Sequence, residues 1–259
     1  MSVPPSEASA SPPEASGTLD ELVAQLIPDR LPRHIALIMD GNGRWARLRS
    51  QPRIAGHHQG HLTVRRVVEL CRDLGVEMVT LYAFSSENWS RPDDEVEGLM
   101  SLIEGVARLE TPGLHEDDVR LRILGRMHEL PDSLQDELNR GMELTRSNTG
   151  LALNLAVNYS GRAEIVDAVR KIVSDGIDSS LVDESTISDA LYTAGLPDPD
   201  LLIRTAGEMR VSNFLLWQIA YAELYVTETL WPDFSKEEMC RALLSYQKRV
   251  RRFGGVVSP

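Results

Sequence analysis

A carboxylate followed by two glycines and an arginine ends the first long apolar run of this chain, HIALIMDGNGRW over residues 34–45. Such a run is typical of a buried β-strand, here one that places Asp40 at its carboxyl edge. Residues 41–44 would then form a tight loop whose backbone N–H groups can meet an anion, a metal ion or a charged substrate. A strand followed by a plain Asp-Gly turn fits the same residues, and this segment alone does not decide between the two.

The rest of the sequence alternates between strand and helix patterns. Apolar runs predict strands at 34–39, 78–84, 119–124, 151–157 and 201–204, with a weaker one at 222–226. Helical periodicity predicts helices at about 59–74, 94–109, 132–146, 161–174, 184–194 and 235–250, and Thr18 and Glu21 form a capping box for a short helix before them. This alternation predicts one α/β domain with a mostly parallel sheet and helices on both faces.

Polar residues follow four of these predicted strands, at 40–44, 83–91, 158–162 and 204–213. The carboxyl ends of parallel strands meet at one edge of a sheet, where ligands bind. Arginine suits bidentate recognition of phosphate, and acidic residues can hold a divalent cation that neutralises it. The four runs therefore favour a site for a multiply phosphorylated ligand. Genomic base composition is an alternative reason for the abundance of Arg, since the chain has only three Lys.

Several familiar motifs are absent from the sequence. It contains no G-x-x-x-x-G-K-[ST], no G-x-G-x-x-G that opens a helix and no G-x-S-x-G, which argues against P-loop, Rossmann and α/β-hydrolase sites. His57, His58 and His61 are spaced for one helical face, but they lack the further ligands that a zinc site needs. Asp93 and Asp94 follow Pro92, where acidic residues suit a helix start better than metal ligation.

Composition narrows the class of protein. The 259 residues carry a net charge of −12, which argues against general nucleic-acid binding. No apolar run approaches the roughly 20 residues that span a bilayer, so no transmembrane segment is predicted. Cys71 and Cys240 lie far apart and fit a reducing cytoplasm. Residues 1–17, rich in Pro, Ser, Ala and Glu, predict a disordered tail, which leaves 18–259 as the folded domain.

Together the motifs resemble the cis-prenyltransferases of the bacterial undecaprenyl diphosphate synthase type. The matching blocks, in chain order, are HIALIMDGNGRWA, GHHQG, LYAFSSENWSRP, NLAVNYSGR, RTAGEMRVSNFLLWQIAYAEL, LWPDF and RRFGG. The resemblance extends from about Leu31 to Gly255. It implies a homodimer, a six-stranded parallel sheet ringed by helices, and a deep apolar tunnel that holds a growing chain.

The resemblance also implies how substrates bind. An allylic diphosphate, expected to be farnesyl diphosphate, would lie on the backbone of Gly41, Asn42 and Gly43 and on Arg44, with Arg53 and His57 gripping its phosphates. Isopentenyl diphosphate would lie on Arg204, Arg210, Val211 and Ser212. The second loop would line the site with Ser85, Ser86, Glu87, Asn88, Trp89 and Arg91. Trp45, Phe84 and Trp89 would pack isoprenoid units, although aromatic residues beside a strand end also suit the core.

Catalytic and metal roles follow from the same resemblance. Asp40 would bind Mg²⁺, which neutralises the diphosphate leaving group, and Glu223 is the expected second acid. Asn88 is the family position for assisting proton loss, but a substrate phosphate oxygen is an equally good proton acceptor. Two residues depart from the family pattern: Ala206 stands where Gly is common, and Met209 stands where many relatives have His. A thioether is a poor ligand for Mg²⁺.

Product length and assembly depend on the resemblance as well. It favours a long chain of about C50–C55, with a short-chain synthase and a non-catalytic partner subunit as alternatives. Small Ala83 would leave the tunnel mouth open, and Leu151 would lie near its floor, where core packing is the competing interpretation. Arg252 would reach a partner subunit's isopentenyl site, with a helix C-terminal role as its alternative. Product release implies peripheral membrane contact.

Overall fold

All the predicted strands form, and they assemble into one sheet. The computed structural model describes residues 16–249. Its strands are β1 (His34–Ile38), β2 (Met78–Ser85), β3 (Arg120–Leu124), β4 (Ala152–Tyr159), β5 (Leu201–Arg204) and β6 (Glu223–Val226). Their order is β3-β4-β2-β1-β5-β6, and every neighbouring pair is parallel. The predicted six-stranded parallel α/β sheet is confirmed.

Eight α-helices surround this sheet within the described residues. They are α1 (Leu19–Ala24), α2 (Asn42–Leu48), α3 (Arg53–Asp73), α4 (Asp93–Glu116), α5 (Asp132–Leu144), α6 (Gly161–Ser174), α7 (Glu184–Ala190) and α8 (Lys236–Gln247). The capping box of Thr18 and Glu21 is present at α1, as predicted. Two predictions were wrong. Helix α4 continues through Pro112, past the predicted end at 109, and α2 occupies the segment predicted as a loop.

The central strand β1 is buried on both faces, which explains its unbroken apolar sequence. Ile35 and Leu37 belong to an apolar cluster that includes residues of α3 and α8. Ala36 and Ile38 belong to a second cluster on the other face, with Phe214. Because β1 is packed on both faces, it cannot slide relative to its neighbouring strands. The positions of the residues that follow it are therefore fixed as well.

The register brings three strand ends together. Ile38, the last residue of β1, lies opposite Tyr82 on β2 and Arg204 on β5. The polar runs after β1, β2 and β5 therefore emerge side by side at the carboxyl edge. This is the position where open α/β sheets bind ligands.

The GHHQG segment has a packing role that its sequence did not reveal. A Cβ atom at Gly56 would lie 2.0 Å from the Asn42 backbone oxygen, and one at Gly60 would lie 2.4 Å from Asn42 Oδ1. Both glycines are on α3, and Asn42 is the first residue of α2. The two helices can approach this closely only because α3 has no side chains at these positions.

This contact predicts the effect of Gly56→Ala on stability. A methyl group that meets a fixed backbone oxygen must displace α2 or α3, and we expect the free energy of unfolding to fall by about 1–3 kcal/mol or more. Urea denaturation measures this change. The matched control is Gly105→Ala at an exposed position of α4, where a new Cβ meets nothing within 4 Å. The free energy of unfolding of that variant should rise by about 0.5–1 kcal/mol, because Ala loses less backbone entropy than Gly when a helix forms. Equal stability of the two variants would contradict the packing argument.

Two predictions from the sequence fall largely outside the described range. The tail over 1–17 is described only at Ser16 and Gly17, and Arg252 lies beyond residue 249. Within residues 16–249, no helix combines the length and apolar composition needed to cross a bilayer.

Candidate active site

Asp40 lies two residues beyond β1, and its backbone and side chain are both fixed. The backbone oxygen of Asp40 accepts hydrogen bonds from Thr205 Oγ1 at 2.7 Å and from Trp231 N at 3.0 Å. Its carboxylate Oδ1 accepts from Gly41 N at 2.7 Å, and Oδ2 accepts from Arg204 Nη2 at 3.0 Å. The Asp40 carboxylate is still about one-third exposed, so a ligand can reach it.

Helix α2 begins directly after Asp40, where the sequence had predicted a loop. Gly41 makes this possible, because its φ of +112° turns the chain sharply from strand to helix. The backbone N–H groups at the start of α2, those of Asn42, Gly43 and Arg44, have no acceptor within the helix. Of the predicted N–H groups, those of Asn42 and Gly43 are free, whereas that of Gly41 donates to Asp40 Oδ1. The free groups belong to a helix start, where the peptide dipoles also attract anions.

Two arginines lie close to the start of α2. Arg44 Nη2 is 3.6 Å from both Asp40 Oδ2 and Glu208 Oε1. The guanidinium of Arg53 lies beside Gly43, since a Cβ atom there would be 3.3 Å from Arg53 Cζ. Both cations therefore flank the backbone N–H groups that could meet an anion.

A third arginine joins this cluster through an acidic residue on α4. Arg53 and Arg91 share the carboxylate of Glu95, at 3.3 Å and 2.9 Å. Glu95 was not singled out in the sequence, because a carboxylate in the first turn of a helix suits the helix dipole without any further role. In the structure it holds two cations at one place.

His57 lies among these charges but carries none itself at neutral pH. Burial, reinforced by the positive charge of Arg91, lowers the pKa of His57 to about 4. Its Nε2 atom is buried and has no hydrogen-bond partner in the described part of the chain. A neutral imidazole with an unused nitrogen suits a hydrogen bond to a ligand better than an ionic contact.

Arg204 connects Asp40 to the second predicted phosphate segment. Its side chain is almost fully buried, and Nη1 donates to Ser212 Oγ at 2.8 Å and to the Arg210 backbone oxygen. Nη2 donates to Asp40, as described above. Arg210, by contrast, is exposed and pairs with Glu208. The buried Arg204 thus holds Asp40 and Ser212 in place through hydrogen bonds. The exposed guanidinium of Arg210, in contrast, can reach a ligand in solution.

The turn before Arg210 contains both departures from the family pattern. Ala206 and Gly207 have φ values of +72° and +77°. Ala206 therefore adopts a left-handed conformation in which Gly would be less strained. The Met209 side chain is 89% exposed, so it makes no contribution to the interior of the site.

The segment after β2 forms a short 3₁₀ helix, Ser86–Ser90, that closes one side of the site. Asn88 and Ser85 cap this helix reciprocally, and Asn88 Oδ1 accepts from Ser85 N at 3.1 Å. Glu87 Oε1 accepts from Asn213 Nδ2 at 2.6 Å. The Asn88 side chain thus positions the loop, and its part in proton loss stays a prediction.

An apolar cavity extends from this edge between α3 and α4, above the sheet. Its lining residues run from Asn42 and His57, beside the start of α2, to Leu114 and Asp117 at the end of α4. The walls are mostly aliphatic, from Met39, Val64, Val68, Leu81, Ala83, Leu99, Leu102, Ile103, Val106, Leu121, Leu153 and Leu155.

The two residues expected to control product length differ in their relation to this cavity. Ala83 lies on the wall, as predicted. Leu151 does not line the cavity: it is buried in a core cluster with Leu121 and Leu153, and only the latter two reach the wall. For Leu151 the prediction of a tunnel position was wrong, and the competing interpretation of core packing applies.

The predicted isoprenoid contact of Trp45 also needs correction. Trp45 Nε1 donates to Asp233 Oδ1 at 2.7 Å, and its ring lies 4.1 Å beneath the guanidinium carbon of Arg49. The ring is therefore held between Asp233 and Arg49, and it is not among the residues that line the cavity.

The other two aromatic residues pack against each other. The ring of Trp89 lies edge-on against Phe84, and its Nε1 donates to Asn158 Oδ1 at 2.8 Å. Phe84 is buried in a core cluster with Val96, Leu99 and Val157, at the point where the pairing of β2 with β4 shifts register. Neither ring lines the cavity. The core interpretation holds for Phe84, whereas Trp89 is 38% exposed.

Glu223 does not join Asp40 in a single chain. Glu223 begins β6 and lies opposite Leu201, the first residue of β5, whereas Asp40 follows the carboxyl end of β1. The two carboxylates therefore lie at opposite edges of the sheet, and Glu223 pairs with Arg249 at 2.7 Å. Within one chain Glu223 cannot be the second acid of the Asp40 site, because a parallel β6 directs its first residue away from the carboxyl edge.

The residues around Asp40 could hold Mg²⁺ only if a bound diphosphate and water supply most of its ligands. Residues 16–249 contain no group of three or more His, Cys, Asp or Glu side chains that could enclose a metal ion. Mg²⁺ commonly uses one or two carboxylates and takes its other ligands from water and substrate phosphates. A carboxylate has lone pairs beyond those that accept from Gly41 and Arg204. Asp40 therefore suits an ion that binds together with a diphosphate.

Comparisons with known proteins agree with this geometry. The family model described as "Putative undecaprenyl diphosphate synthase" matches residues 38–254. An isoprenyl transferase of Heliobacterium mobile is 51% identical over 239 residues, covering 91% of this chain and 92% of the relative. Another, from Prochlorococcus marinus, is 49% identical over 247 residues, covering 94% of this chain and 93% of the relative.

Two solved structures are also similar. The crystal structure of lavandulyl diphosphate synthase from Lavandula x intermedia, in complex with dimethylallyl diphosphate, matches with a TM-score of 0.84 and 37% identity. The match covers 87% of this chain and 99% of that one. A probable undecaprenyl diphosphate synthase from Campylobacter jejuni matches with a TM-score of 0.73 and 32% identity, covering 86% and 98%.

Proposed function

Because this chain belongs to the undecaprenyl diphosphate synthase family and is a prenyltransferase, we propose that it condenses isopentenyl diphosphate with an allylic diphosphate. The observation that supports this most directly is an apolar cavity lined by Asn42 and His57, next to the start of α2, where Asp40 and three arginines cluster. A prenyl diphosphate has the matching shape, with an anionic head and a hydrocarbon tail.

The cavity also suggests which substrate lies where. Asn42 and His57 border the cavity, so a diphosphate on the start of α2 can extend its tail between α3 and α4. We assign the allylic substrate to this side, and the complex of the lavender synthase with dimethylallyl diphosphate supports an allylic ligand in this fold. Isopentenyl diphosphate, which has a short tail, is assigned to Arg204, Arg210 and Ser212.

The proposed reaction forms one carbon–carbon bond. C4 of isopentenyl diphosphate attacks C1 of the allylic partner as the C1–O bond breaks, diphosphate leaves, and a proton is lost from the new unit. Mg²⁺, held by Asp40, would supply positive charge to the departing diphosphate. The chain contributes position and fixed charge: Arg44, Arg53 and Arg91 face the phosphates, and burial excludes water from the hydrocarbon.

The direct test combines the purified protein with farnesyl diphosphate, labelled isopentenyl diphosphate and Mg²⁺, followed by chromatography of the products. We expect a product of about C50–C55. If the protein releases mainly C15 or C20 product in the presence of excess isopentenyl diphosphate, the long-chain proposal is wrong and the protein is a short-chain synthase. Absence of any turnover with several allylic primers would favour the non-catalytic subunit.

Ala83→Leu is expected to shorten the product. Ala83 faces the cavity from β2, and a leucine there would occupy space that the growing chain needs. Overfilling a packed space costs about 1–3 kcal/mol, which is enough to shift product release to shorter chains. Chromatographic chain-length analysis measures the shift. The matched control is Val173→Leu at an exposed position of α6 that does not line the cavity, and it should leave the product distribution unchanged. An unchanged distribution for Ala83→Leu as well would mean that the chain does not grow past this wall.

Assembly and location complete the proposal. We propose a homodimer in which Arg252 of one copy completes the isopentenyl site of the other, and sedimentation measurements of molecular mass test the dimer. A second copy is also the remaining way for Glu223 to approach an Asp40 site. A cytoplasmic location and peripheral membrane contact during product release stay predictions.

A further inference from the structure

The turn that follows Arg210 has an unusual backbone. Ser212, Asn213 and Leu215 have φ values of +45°, +62° and +47°, a region that side chains other than Gly rarely adopt. Three such residues within four positions carry a conformational cost, and they persist only where surrounding contacts hold them. The turn therefore needs an anchor.

Asn213 provides that anchor with every polar atom of its side chain. Its Oδ1 accepts a hydrogen bond from Arg162 N at 2.9 Å. Its Nδ2 donates to Glu87 Oε1 at 2.6 Å and to Ser160 Oγ at 2.7 Å. Its backbone oxygen accepts from Gly161 N at 2.8 Å. One residue thus joins the loop after β2, the junction of β4 with α6, and the turn after β5.

The anchored turn leads directly to the residues of the site. Ser212, the preceding residue, accepts from Arg204 Nη1 at 2.8 Å, and Arg204 Nη2 donates to Asp40. Tyr82 on β2 donates to the Ser212 backbone oxygen at 3.4 Å. A shift of Asn213 would therefore move the Ser212 hydroxyl relative to Arg204 and Asp40.

We propose that Asn213 is a positioning residue that sets the isopentenyl diphosphate site, acting through Ser212 and Arg204. This inference rests on the proposed function. An amide suits the position because it must accept from a backbone N–H and donate to a carboxylate at the same time. A carboxylate of the same shape can accept from Arg162 N but cannot donate to Glu87, and it would place two like charges in contact.

The need for residue 213 to accept one hydrogen bond and donate another can be tested with variants that hardly change the shape of the side chain. Asn213→Asp is expected to raise the KM for isopentenyl diphosphate by roughly 10- to 100-fold, as expected for a lost hydrogen bond to a charged group, with the KM for the allylic substrate little changed. In the double variant N213D/E87Q, the amide introduced at position 87 can donate to the carboxylate introduced at position 213, and the Ser160 hydroxyl can turn to donate as well. We expect the double variant to recover most of the lost affinity.

Two further variants serve as controls: one carries the E87Q change alone, and the other carries an Asn-to-Asp change away from the site. E87Q alone keeps an acceptor for the Asn213 amide, so it should raise the KM for isopentenyl diphosphate far less than N213D does. Asn139→Asp on the exposed face of α5 makes the same chemical change as N213D away from the site, and it should leave both KM values unaltered. Thermal unfolding of each variant separates lost folding from lost positioning.

The inference is overturned if N213D binds isopentenyl diphosphate like the parent protein, or if the double variant is no better than N213D. The proposed function fails in a different way, and this inference fails with it: the parent protein itself would then show no condensation, and calorimetry would detect no binding of isopentenyl diphosphate.

Discussion

An Asp40→Ala protein is expected to fold and to lose turnover by at least 10²–10³-fold. Losing one dominant charge contact in a transition state costs about 3–4 kcal/mol, and loss of the metal ion would add to this. The structure strengthens the expectation, because the Asp40 carboxylate also partners the buried guanidinium of Arg204. Steady-state turnover with both substrates, measured across a range of Mg²⁺ concentrations, gives the size of the loss.

Removing Asp40 also leaves Arg204 without this counter-charge, so stability must be measured beside activity. Asp40→Asn keeps the shape and the acceptor for Gly41 N while it removes the charge. It should lose less stability than D40A and remain nearly inactive. Asp136→Ala, on the exposed face of α5, is a control that should change neither property. A folded D40A protein with near-parental turnover would remove Asp40 from the mechanism.

Arg204→Ala should affect both catalysis and substrate affinity. The role that the family resemblance implies for Arg204 predicts a rise in the KM for isopentenyl diphosphate that is far larger than the rise for farnesyl diphosphate. Because the side chain also fixes Asp40 and Ser212 from a buried position, we now expect kcat to fall by about 10²–10³-fold as well. A lysine ammonium cannot contact Asp40 and Ser212 at the same time, as a guanidinium does. Arg204→Lys should therefore restore little of the kcat or of the substrate affinity that Arg204→Ala loses.

Arg210→Ala provides the informative comparison, since the Arg210 side chain is exposed and pairs only with Glu208 among the described ion pairs. It should raise the KM for isopentenyl diphosphate and leave kcat almost unchanged. Arg146→Ala, at an exposed position just after α5, controls for loss of a surface charge and should alter neither constant. If either active-site variant instead raises the KM for farnesyl diphosphate, the two diphosphate sites have been assigned in reverse.

Local patterns in the sequence were enough to predict the sheet and the place of the site. Apolar runs long enough to be buried on both faces marked β1 and its neighbours, and polar runs after them marked the carboxyl edge. The position of Asp40 follows from chain order, since it comes two residues after a strand inside the sheet. The resemblance to a known family then supplied roles that periodicity could not.

Tertiary contacts decided the features that sequence left open or assigned wrongly. Helix α2 forms because Gly41 turns the chain and because Gly56 and Gly60 let α3 pack against it. Trp45 bonds to a residue 188 positions away, and no local pattern indicates such a partner. Glu223 lies at the opposite edge of the sheet from Asp40 because the direction of β6 is set by its pairing with β5.

The role of Asn213 illustrates the same division. Its sequence neighbours placed it in a polar run after β5, as one of several residues that could face a ligand. Its partners Glu87, Ser160 and Arg162 are distant in sequence and meet it only when β2, β4 and β5 lie in one sheet. The sequence determined which chemical groups are available at this edge. The fold decided which of them hold one another in place and which remain open to a ligand, because burial and hydrogen-bond partners depend on contacts between distant segments.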